Sequence, residues 1–146
     1  MLNKRQLLDE YYNFWFSLNA LYENWAKTKG LTVNSLMLLY MIYQHPAQST
    51  QTFICERLSL PKQTVNTILH SFAKKGYIQM VSNPSDRRSK LLSFTPLGLS
   101  YAEPLLQELF ALEEQALTQL SISEQEQWVS SSCHFCEAFT EVLKKK

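Results

Sequence analysis

The feature that most constrains the fold is a change of hydrophobic period between residues 61 and 95. The stretch PKQTVNTILHSFAKKG has apolar residues at i, i+3, i+4 and i+7, the spacing of one helix face, and Gly76 can end that helix. Residues 77–81 and 90–95 instead alternate as β-strands do. The sequence therefore predicts a helix followed directly by a β-hairpin. The side chains expected to share one face of the hairpin are Ile78, Met80, Leu92 and Phe94.

The polar face of this helix consists of hydrogen-bonding groups without a carboxylate. It presents Lys62, Gln63, Asn66, Thr67 and His70. Side chains of this kind can reach base edges in the major groove of DNA. His70 is equally consistent with a place at the rim of the apolar interface. The face indicates a recognition helix, with the short helix before it completing a helix-turn-helix.

The predicted hairpin tip concentrates positive charge. Arg87, Arg88 and Lys90 follow an Asn-Pro turn, and such cations can reach phosphates or, for an arginine, a narrow minor groove. Asp86 is two residues from Arg88, so we expect it to orient the guanidinium through a charge-assisted hydrogen bond. A solvated charge run is the alternative interpretation of this tip.

The net charge of +1 hides an uneven distribution along the chain. Residues 1–59 carry a net charge of +1, residues 60–95 carry +5, and residues 96–146 carry −5. A concentrated basic segment is typical of a protein with a polyanionic partner.

Helices are predicted on both sides of the basic segment. Residues 3–29 have a heptad pattern of apolar side chains, and shorter helices are expected over 32–43 and 50–58. Pro61 should lie in the first turn of the fourth helix. A fifth should start near Pro96, with a kink or short break at Pro104, and the last should begin with a capping box of Ser123 and Glu126.

The terminal helices have more apolar surface than a small helix-turn-helix core can cover. The economical solution is that the terminal helices of two copies bury each other about a two-fold axis. We therefore expect a homodimer.

Length and composition exclude several classes of protein. A chain of 146 residues with 45% apolar content can bury one globular core. Because no apolar run is long enough for a membrane span and the charged N-terminus does not fit a signal peptide, we expect a cytoplasmic protein without membrane contact. The sequence has no glycine-rich phosphate loop and no recognisable nucleophile-base set, so we expect neither enzyme activity nor a cofactor.

The three cysteines are expected to be thiols, since their number is odd and no secretion signal is present. Cys133, His134 and Cys136 offer three zinc ligands where about four are usual, so we expect no metal site and predict that both thiols pack beside the apolar seam. Cys55 falls where the helix-turn-helix needs a small apolar residue, so we expect burial there as well. Oxidation of Cys55 as a regulatory trigger stays open.

Residues 60–99 resemble the winged helix-turn-helix core of the MarR family of bacterial transcriptional regulators. The resemblance rests on a helix followed by KKGYI, on a D-x-R wing tip at Asp86 to Arg88, and on LSFTPLG with its Thr95 and Gly98. It extends more weakly over the whole chain through length and helix order. Two positions depart from the family pattern: Pro61 replaces a common serine cap, and Phe94 replaces leucine.

The resemblance implies a mainly α fold with a minor β part, in which 1–146 form a single MarR-like domain. Residues 31–98 would form the winged helix-turn-helix lobe, and 1–30 and 99–146 the dimerisation helices. The implied major-groove residues are Lys62, Gln63, Thr64, Asn66, Thr67 and His70. The wing would supply Asp86, Arg87, Arg88 and Lys90, and we expect Lys74 and Lys75 to contact phosphates.

The resemblance also implies a small-molecule pocket between the dimer interface and the DNA-binding lobe. The candidate lining is the aromatic stripe of Trp15, Trp25, Tyr40 and Tyr43, and the candidate effector is a small aromatic or phenolic molecule. A core role for this stripe is the alternative.

These observations predict a homodimeric repressor that binds a pseudo-palindromic operator in double-stranded DNA and is relieved by a small molecule. Two other classes of function remain open. One is a winged-helix protein-interaction module that binds no DNA, and the other is an enzyme on an all-α scaffold with an unrecognised site.

Overall fold

The chain folds into six helices and one two-stranded sheet, and the computed structural model describes all 146 residues. In chain order the elements are α1 (Lys4–Thr28), α2 (Val33–Gln44), α3 (Gln51–Leu58), α4 (Lys62–Lys74), β1 (Ile78–Ser82), β2 (Lys90–Phe94), α5 (Pro96–Leu117) and α6 (Ile122–Lys144). The predicted mainly α fold with a minor β part is confirmed. The chain divides into two compact units, Met1–Glu103 and Pro104–Lys146.

The ends of the early helices follow the signals in the sequence. Asn3 forms a capping box with the third residue of α1. Thr32 and Thr50 cap α2 and α3 because each side-chain oxygen accepts from the backbone N–H three residues on. Gly30 and Gly76, with φ values of 72° and 76°, adopt the left-handed conformation that ends α1 and α4.

Pro61 lies one position earlier than predicted. It is the N-cap of α4 rather than a member of the first turn, and it makes no side-chain capping bond. Its carbonyl accepts the first helical bond, from the N–H of Val65 at 3.2 Å. The ring of Pro61 fixes φ, here −59°, and so directs the chain into α4, while the N–H groups of the first turn have no capping side chain.

The core of the first unit joins α2, α3, α4 and the sheet. Val65, Leu69 and Phe72 are buried and Ile68 packs against the core, which confirms the apolar face predicted for α4. The other buried members of this core are Leu38, Leu39, Met41, Ile42, Ile54, Ile78, Leu92 and Ala102.

Ser49 ties the sheet to the turn between α2 and α3. It is fully buried, and its hydroxyl is 2.7 Å from the carbonyl oxygen of His45 and 3.1 Å from that of Met41. The carbonyl of Ser49 accepts from the N–H of Leu92 at 2.8 Å. Leaving a buried polar group unpaired costs about 1–3 kcal/mol, so these bonds fix the position of β2 against the helices.

The two strands pair antiparallel, with Ile78 opposite Phe94 and Met80 opposite Leu92. This register places the four predicted side chains on one face of the hairpin. Met80 is nevertheless 64% exposed, while Leu91, from the other face, is buried. Toward the wing tip, the alternation of side chains between the two faces of the hairpin therefore does not determine which of them are buried.

The two long C-terminal helices differ from prediction in detail. α5 runs through Pro104 without a break, so the predicted break is wrong. The alternative, a kink at Pro104, stays a prediction. The capping box of α6 is formed by Ser121 and Glu124, two residues before the predicted pair of Ser123 and Glu126. Both pairs have the same spacing, and the earlier one starts the helix sooner and gives it two more residues.

Glu124 supplies the second half of the capping box. Its Oε2 accepts from the backbone N–H of Ser121 at 2.7 Å, and its own N–H donates to Oγ of Ser121 at 3.2 Å. Hydrogen bonds that the Glu124 carboxylate accepts, first from the backbone and then from the side chain of Ser121, hold the pKa of Glu124 below its ordinary value.

Helices α1 and α6 expose much of their apolar surface. On α1 the exposed fraction is 54% for Leu7 and 67% for Leu21, and on α6 it is 52% for Phe139 and 54% for Val142. No residue of α6 is buried. The apolar heptad positions predicted for α1 and α6 thus lie largely on the surface of the single chain and not in its core. No helix combines the length and hydrophobicity that crossing a lipid bilayer requires.

Candidate nucleic-acid interface

The outward face of α4 carries polar side chains over most of its length. Burial of Val65, Leu69 and Phe72 turns the opposite side of the helix to solvent. The exposed side chains are Lys62, Gln63, Asn66, Thr67 and His70, and Thr64 is half-buried. Residues 62–75 contain no Asp or Glu, so nothing on this face would repel a phosphate backbone.

Two hydrogen bonds restrict polar side chains on this face. The hydroxyl of Thr67 donates to the carbonyl of Gln63 at 3.0 Å, which leaves the hydroxyl oxygen to accept. Gln51, in the first turn of α3, donates from Nε2 to Oδ1 of Asn66. Gln51 was not among the predicted site residues because it is 15 residues away from Asn66, and only the packing of α3 on α4 brings the two together.

The wing tip between β1 and β2 is held by Asn83. This side chain is only 9% exposed; its Oδ1 accepts from the N–H of Ser85 at 3.0 Å and its Nδ2 donates to Oγ of Ser89 at 2.9 Å. Asparagine before proline is a turn signal, so the sequence contained a hint of this role. Asn83 was nevertheless not among the predicted wing residues. Its role is to shape the loop that carries Arg87 and Arg88.

Asp86 and Arg88 are paired as predicted. Oδ1 of Asp86 accepts from the backbone N–H of Arg88 at 2.9 Å and from its Nε at 3.3 Å. The side chain of Arg88 is 93% exposed and that of Asp86 is 42% exposed. An exposed pair of this kind contributes only about 0–1 kcal/mol to stability, so its effect is on the direction of the guanidinium.

Further cations lie around the wing and at the end of α4. Arg87 and Lys90 line a shallow cleft beside Ser82 and Asn83. Lys74 lines a second shallow cleft with His70. Lys75 caps the C-terminal end of α4 and is exposed. All of these charges belong to the unit that contains α4 and the wing.

Thr95 and Gly98 join the end of the wing to the start of α5. The hydroxyl of Thr95 donates to the carbonyl of Gly76 and accepts from the N–H of Gly98 at 3.0 Å. A Cβ on Gly98 would lie 1.8 Å from the carbonyl oxygen of Tyr77, so only glycine fits this approach. The motif LSFTPLG thus has a physical role: it docks α5 on the first residues of the hairpin.

A family model described as MarR family matches residues 29–89, from the end of α1 to the wing. This part of the chain is similar to the MarR family.

Known proteins extend this likeness over most of the chain. The HTH-type transcriptional regulator PapX of Escherichia coli is 29% identical over 111 residues, 76% of this chain, which spans 59% of the length of PapX. NMB1585, a MarR family regulator from Neisseria meningitidis, matches with a TM-score of 0.78 and 24% identity over 99% of both chains. The MepR–DNA complex of S. aureus matches with a TM-score of 0.70 and 19% identity, covering 95% of this chain and 99% of MepR. At these identities the structural matches show a shared fold.

The aromatic stripe is not a uniform core. Trp15 is 46% exposed, so a core role is wrong for it. Trp25 is half-buried with Nζ of Lys29 over its ring at 5.5 Å, and Tyr43 donates to Oε1 of Glu103 at 3.2 Å. Tyr40 is half-buried against the core. An effector pocket at these residues stays a prediction.

The cysteines divide between packed and exposed positions. Cys55 packs against the core of the first unit, as predicted, but it is only half-buried. Cys133 and Cys136 are exposed, so the prediction that they pack is wrong within one chain, because α6 buries none of its residues there.

Proposed function

We propose that the protein is a homodimeric repressor of transcription that binds a pseudo-palindromic operator in double-stranded DNA. The observation that carries this proposal is the exposed, carboxylate-free face of α4 in the same compact unit as the cationic wing. The match of residues 29–89 to the MarR family model supports it, and the matching MepR structure is a complex with DNA. A cytoplasmic location follows from this partner.

The side chains have different tasks in this proposal. The face of α4, made of Lys62, Gln63, Thr64, Asn66, Thr67 and His70, reads base edges in the major groove. Arg88, directed by Asp86, enters the flanking minor groove, where a narrow groove concentrates negative potential. Arg87 and Lys90 on the wing, and Lys74 and Lys75 at the end of α4, neutralise phosphates.

The second copy of the chain is the partner for the apolar faces of α1 and α6. Exposed apolar side chains along both helices, such as Leu21 and Phe139, would be buried between the two copies. A two-fold dimer places its recognition helices in successive major grooves about 34 Å apart, which matches an operator with two related half-sites.

Relief of repression is proposed to come from a small aromatic or phenolic effector near Trp15, Trp25, Tyr40 and Tyr43. Three of these rings are half-buried, so a flat ligand could cover them further. A ligand that prefers one spacing of the two DNA-binding lobes would shift the dimer away from the operator geometry.

The direct test is selection of bound duplexes from random DNA, followed by affinity measurements over a range of salt concentrations. We expect one palindromic sequence and a steep loss of affinity with salt. Lys75→Ala should weaken binding to every sequence and lower the salt slope by about 0.9 per protomer. The matched control is Lys145→Ala, which removes the same charge at the end of α6 and should leave the slope unchanged.

The wing is tested separately with Arg88→Ala. We expect this variant to lose operator affinity while its unfolding midpoint and its dimer stay those of the wild type, because its only cost to stability is one exposed ion pair. If the wild-type protein selects no duplex and shows no salt-dependent binding, the DNA-binding proposal is wrong. A winged-helix protein-interaction module and an enzyme on an all-α scaffold would then be the remaining interpretations of the fold.

A further inference from the structure

Gln51 is placed to control how Asn66 meets DNA. Asn66 is exposed on the outward face of α4, and Gln51 is half-buried in the first turn of α3. Fully buried Ile54 and Val65 belong to the core that holds these two helices together. The bond from Nε2 of Gln51 to Oδ1 of Asn66 therefore joins a fixed helix to a candidate base-reading side chain.

The two ends of an asparagine amide read different bases. The amino group offers two donors and the carbonyl oxygen is an acceptor. In the major groove, guanine presents two acceptors at N7 and O6 and thymine presents one at O4, cytosine presents a donor at N4, and adenine presents both an acceptor at N7 and a donor at N6. A side chain whose amide is held in one orientation can thus prefer one class of edge.

Holding the amide also limits its freedom before DNA arrives. An exposed asparagine samples several rotamers, and fixing one of them on binding costs free energy. The bond to Gln51 restricts those rotamers in the free protein. Gln51 need not touch DNA to have this effect.

We infer that Gln51 is a positioning residue for base selection: it engages Oδ1 of Asn66, so that the amino group of Asn66 faces the groove. At the base it contacts, this amino group prefers guanine or thymine, whose major-groove edges present acceptors and no donor. This inference rests on the proposed function, because it assigns a specificity determinant within the proposed DNA-binding surface.

The test compares base preferences of five full-length variants by selection from random duplexes. Gln51→Met keeps a long unbranched side chain and removes the amide, and Asn66→Ala removes the reading group. The double variant combines the two. Gln51→Glu supplies a group that only accepts, so Asn66 should donate to it and turn its own oxygen toward the groove. Thr52→Ala, the exposed neighbour on α3, is the matched control.

The expected result is a shared loss of preference at one base pair of each half-site. Gln51→Met and Asn66→Ala should each reduce discrimination between bases at that pair, by at most about 150-fold. The double variant should lose no more discrimination than Asn66→Ala alone. Gln51→Glu should change the preferred base at that pair to cytosine or adenine. Thr52→Ala should keep the wild-type preference, and unfolding midpoints should confirm that every variant is folded.

Two results would overturn the inference and leave the proposed function intact. One is an unchanged preference in Gln51→Met at the base pair that Asn66→Ala relaxes. The other is a Gln51→Glu variant that still prefers guanine or thymine there. A wild-type protein that selects no sequence at all would instead overturn the proposed function, and this inference with it.

Discussion

Replacing Asp86 by asparagine should tighten binding to random DNA and at the same time reduce the preference for the operator. Oδ1 of Asp86 accepts two bonds from Arg88, one from its backbone N–H at 2.9 Å and one from its Nε at 3.3 Å. Asparagine has the same shape and keeps Oδ1, so the wing turn stays folded. Only the attraction between carboxylate and guanidinium is weakened, and one negative charge is removed from each wing.

The two effects have opposite signs and comparable size. The pair is 93% and 42% exposed, so its orienting contribution is at most about 1 kcal/mol, or about 5-fold in affinity per wing. Loss of the charge relieves repulsion of about 0.4 kcal/mol per phosphate at about 10 Å in water, which is about 2-fold for any sequence. The charge effect is shared by operator and random DNA, so it cancels in the ratio of the two affinities.

The assay is fluorescence anisotropy with an operator duplex and a scrambled duplex of the same length. For Asp86→Asn we expect the ratio of operator to scrambled affinity to fall by up to about 5-fold per wing. Glu10→Gln, at an exposed position on α1, is the control for an equal change of charge. If Asp86→Asn raises both affinities by the same factor, Asp86 does not orient Arg88.

Three further predictions concern stability. Gly98→Ala should lower the free energy of unfolding by at least about 1–3 kcal/mol, because its Cβ would lie 1.8 Å from the carbonyl oxygen of Tyr77. Urea titrations measure this loss, and an unchanged midpoint would contradict the packing. Ser121→Ala should lower the free energy of unfolding by about 1 kcal/mol, because it removes the N-cap of α6. Ser123→Ala should change it little in the same titrations, and equal losses would mean that Ser121 is not the cap. Burial, then the charge of Tyr77, raises the pKa of Tyr101 above 10.0, so the folded state keeps a proton that the unfolded state releases. Stability should fall as the pH rises above 10.0, and Tyr101→Phe should lessen that fall in unfolding curves measured across this range.

Local features of the sequence predicted most of the fold. Helical spacing identified the buried face of α4, and Gly30 and Gly76 marked the ends of α1 and α4. The D-x-R tip predicted the bond between Asp86 and Arg88 because the two residues are close in sequence on a tight loop. Where two local signals competed, as for Ser121 and Ser123, the sequence could not choose between them.

The sequence by itself determined which face of each helix is apolar and where the charges gather, since both are properties of neighbouring residues. Only the tertiary structure decided that Gln51 reaches Asn66 and that Gly98 must be glycine to pass Tyr77. The physical reason is that these outcomes depend on how separate helices and strands pack, and hydrophobic periodicity describes one element at a time.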